Sequence, residues 1–294
     1  VLHDDTVCLE IRSKNITLYY RGGKLLKIEE KSLGNYKPSF DKKYCKHKKF
    51  VSNHGKTIEN AKTVFDFVAV FPLIKSEMDI WFSEHSKLER EIQQHIEREN
   101  NHTRNATDTD YYIADIEYDT RENSRFDMLA LKWPSTSTAH KNRAGLSLSF
   151  IEVKYADGAL TNSSGLEDHI VDMYSYLKSH DFSTVCKEAE GMFNQKIALG
   201  LINVPKNTVK IGIDSNKRPE FILLLVNHKS ASDKLNRELN NIIQSDIYKN
   251  LCKIADVKIA ISCLMGYGLY ENSMISLEKY LEKEGADKND NHHP

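Results

Sequence analysis

Apolar and polar positions along this chain sort into runs of two kinds. In the first stretch the runs are short and β-prone: Leu9 to Arg12, Asn15 to Tyr20 and Lys24 to Glu29 read as strands, and Arg21-Gly22-Gly23 supplies the φ > 0 positions of a hairpin turn. Asn60 to Lys75 is apolar in patches and fits a helix. From Ser83 to Asn100 the pattern tightens, with Leu88, Ile92, His95 and Ile96 on one stripe, Glu89, Arg90, Glu91, Glu97 and Arg98 elsewhere, and Ser83 or Ser86 as the cap. Tyr111 to Tyr118 then alternates as a strand. Ser124 to Lys132 makes a second, across a turn at Asp119 to Asn123, and Ser147 to Tyr155 a third, joined by a polar link that holds Trp133-Pro134, Asn142 and Gly145.

Beyond that strand, Asp157-Gly158 breaks the run and Leu166, Ile170, Met173 and Leu177 recur at helical spacing over Leu166 to Lys178. Ser183 to Leu201 reads as a further helix. Phe221 to Val226 is continuously apolar, the mark of a strand buried on both faces. A helix over Ser232 to Leu251, a strand over Val257 to Leu264 and a helix over Ser273 to Glu284 complete the pattern, and the polar stretch 285–294 reads as a disordered tail.

The charges inside the apolar strands carry the chemistry. Asp127, Glu152 and Lys154 stand among residues that belong in a core, and an unpaired buried charge costs several kcal/mol. Glu152 and Lys154 are two apart, so a strand puts both on one face and leaves Ile151, Val153 and Tyr155 on the other. If the strand of Asp127 pairs beside them, two carboxylates and an ammonium converge. Two hard oxygen ligands suit Mg²⁺ or Mn²⁺ with waters and phosphate oxygens, and a neighbouring lysine can position or deprotonate an attacking water. Asp115 and Glu117 share a face of the preceding strand, which could point toward the metal pocket or out to solvent; solvent or a structural pairing is expected.

Asp127 followed after 24 intervening residues by Glu152-Val153-Lys154 resembles the D…(D/E)xK signature of the PD-(D/E)XK nuclease superfamily, with Phe126 where the namesake proline would stand. The resemblance covers about residues 83 to 265 and implies an α/β, restriction-endonuclease-like fold: an αβββαβ core whose mixed sheet is flanked by helices. It implies that Asp127, Glu152 and the Val153 carbonyl hold the metal while Lys154 assists the nucleophilic water. Glu91, or Glu89, would bring a further carboxylate from the preceding helix. The helix after the third strand would line the substrate channel, which gives His169, Ser164 and that helix's N-terminus roles at phosphate. The implied activity is metal-dependent hydrolysis of nucleic acid, DNA ahead of RNA, and many such enzymes act as homodimers. The competing reading is a nuclease-like fold without catalysis, kept as a nucleic-acid-binding or assembly module.

With 294 residues, 40% hydrophobic and 28% charged, the chain can bury a full core. The division expected is a small basic β-rich element over 1–60, a nuclease-like domain over 61–284 and the tail. Residues 1–60 carry a net charge of +6 and the rest −7. The cluster Lys42 to Lys49, with Lys46 and Lys48 at its centre and Tyr44 and Phe50 as stacking groups, is the candidate contact to nucleic-acid phosphates. His54-Gly55-Lys56-Thr57 lacks the first glycine and the buried strand of a P-loop. No G-x-S-x-G elbow, HExxH or third glycine after Gly266-Tyr267-Gly268 supports a serine hydrolase, zinc or dinucleotide reading. Five scattered cysteines, no apolar run of the roughly 18 to 20 residues that span a bilayer and no signal-peptide layout point to a reduced, cytoplasmic protein.

Overall fold

The short β-prone runs at the start of the chain pair in sequence order. The structure, a computed structural model, describes residues 4–46, 54–103, 106–119, 125–161, 165–228, 233–262 and 266–290, and divides into two compact units, Val1–Arg98 and Glu99–Pro294. In the first, β1 (Cys8–Arg12), β2 (Asn15–Tyr20), β3 (Gly23–Ser32) and β4 (Asn35–Ser39) form an antiparallel sheet. Arg21 at φ 48 and Gly22 at φ 78 make the turn between β2 and β3, the paired positive values that a two-residue hairpin requires.

Helices α1 (Gly55–Asn60), α2 (Val64–Ala69) and α3 (Phe71–Glu84) follow, and α4 (Leu88–Asn101) contains the boundary. The helix expected over 60–75 is therefore divided. Thr63 and Asp66 close a capping box at the start of α2, and Pro72 opens α3, where its missing N–H costs nothing. Ser83 is no cap but lies inside α3, and Leu88 stays 46% exposed while Ile92 and Ile96 are buried. The boundary expected at residue 60 moves to 98 for a packing reason: Ile74, Met78 and Phe82 of α3 share one core with Leu25 and Leu26 of β3.

The second unit is an α/β arrangement around a mixed sheet of order β5 (Tyr111–Asp119), β6 (Arg125–Lys132), β7 (Ser147–Tyr155), β8 (Glu220–Val226) and β9 (Asp256–Ser262). The first three strands are antiparallel and the last three parallel. Parallel neighbours need crossovers, supplied by α6 (Leu166–Ser179) and α7 (Phe182–Ala198) between β7 and β8, and by α8 (Asp233–Gln244) and α9 (Asp246–Ile254) between β8 and β9. A short α5 (Ser137–Lys141), capped by Thr136, lies in the link before β7. The single helix expected over 232–251 breaks because the Ser245 hydroxyl caps a new start, accepting from Tyr248 N–H at 3.2 Å. The closing helix α10 runs from Leu277 to Asp290, past the tail boundary placed at 285, since polar residues without proline do not stop a helix already under way.

Every residue of β8 is buried, as its continuous apolar run demands. Leu148 and Phe150 of β7 pack with Phe221, Leu223 and Leu225 of β8 against Ile170, Met173 and Tyr176 of α6 and Phe193 of α7. Strand alternation puts Glu152 and Lys154 on that same face, so α6 covers the end of β7 that carries them. Among the described residues no helix is long and apolar enough to cross a membrane.

Candidate active site

Strands β6 and β7 pair from Lys132↔Ser147 up to Met128↔Ile151, and there the ladder stops. Asp127 and Glu152 are the next residues on each strand, so both carboxylates stand where the strands separate. Asp127 takes over the lost rung: its Oδ2 accepts from the Val153 N–H at 2.9 Å. In a strand a residue's N–H and C=O point to the same side, so the Val153 carbonyl also faces the opening beside Asp127.

Glu152 is 3% exposed, Lys154 4% and Asp127 8%. Lys154 Nζ donates to Glu152 Oε1 at 3.0 Å. From the first turn of α6, His169 brings Nε2 to 2.7 Å from Lys154 Nζ and 3.0 Å from Glu152 Oε1. As an acceptor that nitrogen receives a hydrogen bond from the lysine N–H, and when protonated it donates to the carboxylate. Glu152 Oε2 is buried without a hydrogen-bond partner. Burial holds the Glu152 carboxyl well above its ordinary range, the Asp127 charge raises it further, and Lys154 only partly opposes them.

This donor set fits a hard divalent cation. It consists of two carboxylates, one with an unanswered buried oxygen, and a backbone carbonyl turned to the same gap; Mg²⁺ takes one or two carboxylates and completes its shell with water and phosphate oxygens. Among the described residues no three His, Cys, Asp or Glu side chains are grouped to hold a metal by themselves.

Not every residue singled out in the sequence comes to this place. Glu91 belongs to the first unit, where its carboxylate lies 3.5 Å from Arg21 Nε, because the β2–β3 turn presents that guanidinium to α4. Lys46 also belongs to the first unit and is exposed. Tyr44, read as a stacking group for bases, is 3% exposed and packed with Phe40, Trp81 and Phe82. Lys48, Ser164 and Phe50 lie outside the described residues. Asp115 and Glu117 do not face solvent: they are 0% and 8% exposed, and Glu117 pairs with Arg125 at 3.1 Å. The structural pairing expected as the alternative to solvent is what Glu117 makes, and a register shift between Ile113 and Asp115 and the positive φ of Glu117 (53) disturb the simple alternation that would have exposed them.

Two features escape sequence reasoning. Glu220 reads as a polar flank of β8, and Asp157 as part of a turn. In the fold Glu220 is 4% exposed and bound on several sides, while Asp157 meets His228. A polar residue abutting six apolar ones is the only sequence signal for the first, and none marks the second. Compared with known proteins, the chain matches no family model, no curated protein and no solved structure.

Proposed function

We propose that this protein is a metal-dependent nuclease that hydrolyses phosphodiester bonds of nucleic acid, with DNA the first substrate class to test. The observation that carries this is the meeting of Asp127, Glu152 and Lys154 at the fork between β6 and β7, with a buried Glu152 oxygen left unanswered. Within the second unit the order β5, β6, β7, α6, β8, with α5 and α7 added between them, follows the βββαβ part of the restriction-endonuclease-like core and supports the same reading.

Asp127, Glu152 and the Val153 carbonyl are the groups that would hold Mg²⁺ or Mn²⁺. When bound, such an ion supplies Lewis-acid stabilisation of phosphoryl charge and favours loss of a proton from water. Lys154 has its ammonium on the same face, where it orients a water for in-line attack and offsets negative charge on the phosphate. His169, at 2.7 Å, steadies the Lys154 head group and offers a proton acceptor beside it. Burial of all three side chains places them in a medium of low dielectric, where a charge acts more strongly than in water.

One observation favours the alternative of a binding or assembly module: Lys154 and His169 both reach Glu152 Oε1, which is also how a structural ion pair would be closed. Cleavage decides between them. Plasmid, single-stranded DNA and RNA are incubated with Mg²⁺, Mn²⁺ or EDTA, for the wild type beside Glu152→Ala. Metal-dependent cutting that disappears in the variant is expected; no cutting by the wild type, with retained salt-dependent binding by both proteins, would leave the module.

A further inference from the structure

The carboxyl ends of β7 and β8 carry a second arrangement that the cluster above does not use. The two strands finish level, Tyr155 opposite Val226. Directly after each, a non-glycine residue takes a positive φ, Ala156 at 58 and Asn227 at 56. Ala156 combines φ 58 with ψ 167, a region populated almost only by glycine. Its neighbours hold it there: the Ala156 N–H donates to the Val226 carbonyl at 2.9 Å, and its own carbonyl accepts from Ala159 N–H at 3.3 Å.

This turn brings Asp157 to the residue that follows β8. Asp157 Oδ1 lies 2.6 Å from His228 Nδ1, with the side chains 17% and 4% exposed. Lys234, in the first turn of α8, donates to the Asp157 carbonyl at 3.0 Å. The Asn227 amide donates to the Tyr155 hydroxyl at 3.3 Å and ties the two strand ends together. Three separate elements therefore meet around one histidine, at the end of the parallel strands where open α/β sheets bind their ligands.

We infer that the Asp157–His228 pair, with Lys234 beside it, is a subsite for a phosphate of the nucleic-acid strand, flanking the scissile one; this rests on the nuclease reading above. With Nδ1 held by a carboxylate, Nε2 is the nitrogen left to meet a ligand. Asp157 fixes the ring through Nδ1, and the Lys234 ammonium beside it supplies the positive charge that an anionic oxygen seeks; charge-assisted bonds of this kind are the strong ones. Lys154 and Asp157 are three residues apart, at most about 10 Å in extended chain. One strand can thus lie across both groups.

The test is equilibrium binding of a fluorescein-labelled 20-nucleotide DNA, single-stranded and duplex, in EDTA from 50 to 300 mM KCl. The proteins are wild type, His228→Ala, His228→Lys and Glu152→Gln, each also assayed for Mg²⁺-dependent cleavage. His228→Ala is expected to bind about tenfold more weakly, with a salt slope shallower by about one phosphate, and His228→Lys to restore the slope. Should His228→Ala lack the wild-type circular dichroism spectrum, His228→Gln replaces it, with the same loss expected. Wild-type affinity and slope in the histidine variant overturn the subsite. If cleavage still depends on Glu152 in that case, the nuclease reading stands alone; a wild type that neither binds nor cuts removes both.

Discussion

Two buried glutamates on neighbouring strands of the same sheet meet opposite fates. Glu220 opens β8, and its carboxylate accepts from Lys258 at 2.6 Å, Lys132 at 3.0 Å, the Tyr111 hydroxyl at 2.8 Å and the Ser149 hydroxyl at 3.2 Å. Burial alone would raise its carboxyl, but the two lysines outweigh burial and hold it below the ordinary range. Glu152, near the end of β7, shares one oxygen between Lys154 and His169, faces the Asp127 carboxylate and leaves Oε2 unanswered, so burial prevails and its carboxyl rises. The Glu220 end also lines a cavity of about 540 Å³. The cavity is thus where the charge is already satisfied, and unanswered charge is the better guide to chemistry.

Removing each glutamate breaks the comparison most sharply. Asp127→Ala, Glu152→Ala or Lys154→Ala should each lower the cleavage rate by about a thousandfold or more, since stabilising the charge that develops in the transition state usually contributes most to the rate of such chemistry. Folding should survive, read as an unchanged circular dichroism spectrum. Glu220→Ala should do the reverse. It strands Lys132 and Lys258 beside an emptied site and should cost about 3–5 kcal/mol in urea unfolding, with cleavage per folded molecule unchanged. Full activity in Lys154→Ala, or wild-type stability in Glu220→Ala, would erase the distinction.

The difference between the two glutamates also explains what the sequence could tell. Glu152 was legible because its signal is local: a carboxylate and a lysine two apart inside Ser147 to Tyr155, bounds at which β7 in fact begins and ends. Glu220 was not, because its partners Tyr111, Lys132, Ser149 and Lys258 come from four other strands and no spacing in the chain announces them. The same rule runs through the fold. Strands β5 to β8 follow from periodicity, whereas the break at Ser245 and the extension of the first unit to Arg98 depend on which of several permissible caps and packings wins. His228 is the extreme case, a residue whose partner lies 71 positions away.

A smaller effect sharpens the contrast through pH. Glu152 has a folded carboxyl above its ordinary value of 4.5, so the native protein holds that proton more tightly than the unfolded chain. Its contribution is complete below about 4.5 and is lost as pH rises through the raised value. Glu220 is shifted the other way: its contribution is present above 4.5 and is lost as pH falls through the lowered value. Thermal unfolding in EDTA should therefore show wild type losing stability relative to Glu152→Gln as pH rises from about 4.5, by no more than about 1.4 kcal/mol per pH unit for one proton. Relative to Glu220→Gln it should lose stability as pH falls below about 4.5. Parallel curves for wild type and Glu152→Gln would mean that Glu152 is as well satisfied as Glu220.

The smallest effect concerns the backbone between the two acidic groups that follow one another on and after β7. Ala156 holds φ 58 and ψ 167 immediately after the strand that carries Glu152 and Lys154, at a cost of about 1–3 kcal/mol. Glycine adopts that conformation freely but loses about 0.5–1 kcal/mol more backbone entropy on folding. Ala156→Gly should therefore stabilise the protein by about 1 kcal/mol, measured by urea unfolding. If the strained turn serves to fix Asp157 against His228, the gain in stability comes with weaker binding of DNA, because the freed backbone no longer presents the pair in one position. A more stable variant that binds as tightly as wild type would assign the strain to the fold; a less stable one would show that neighbouring contacts, not the left-handed backbone, decide the energy at this bend.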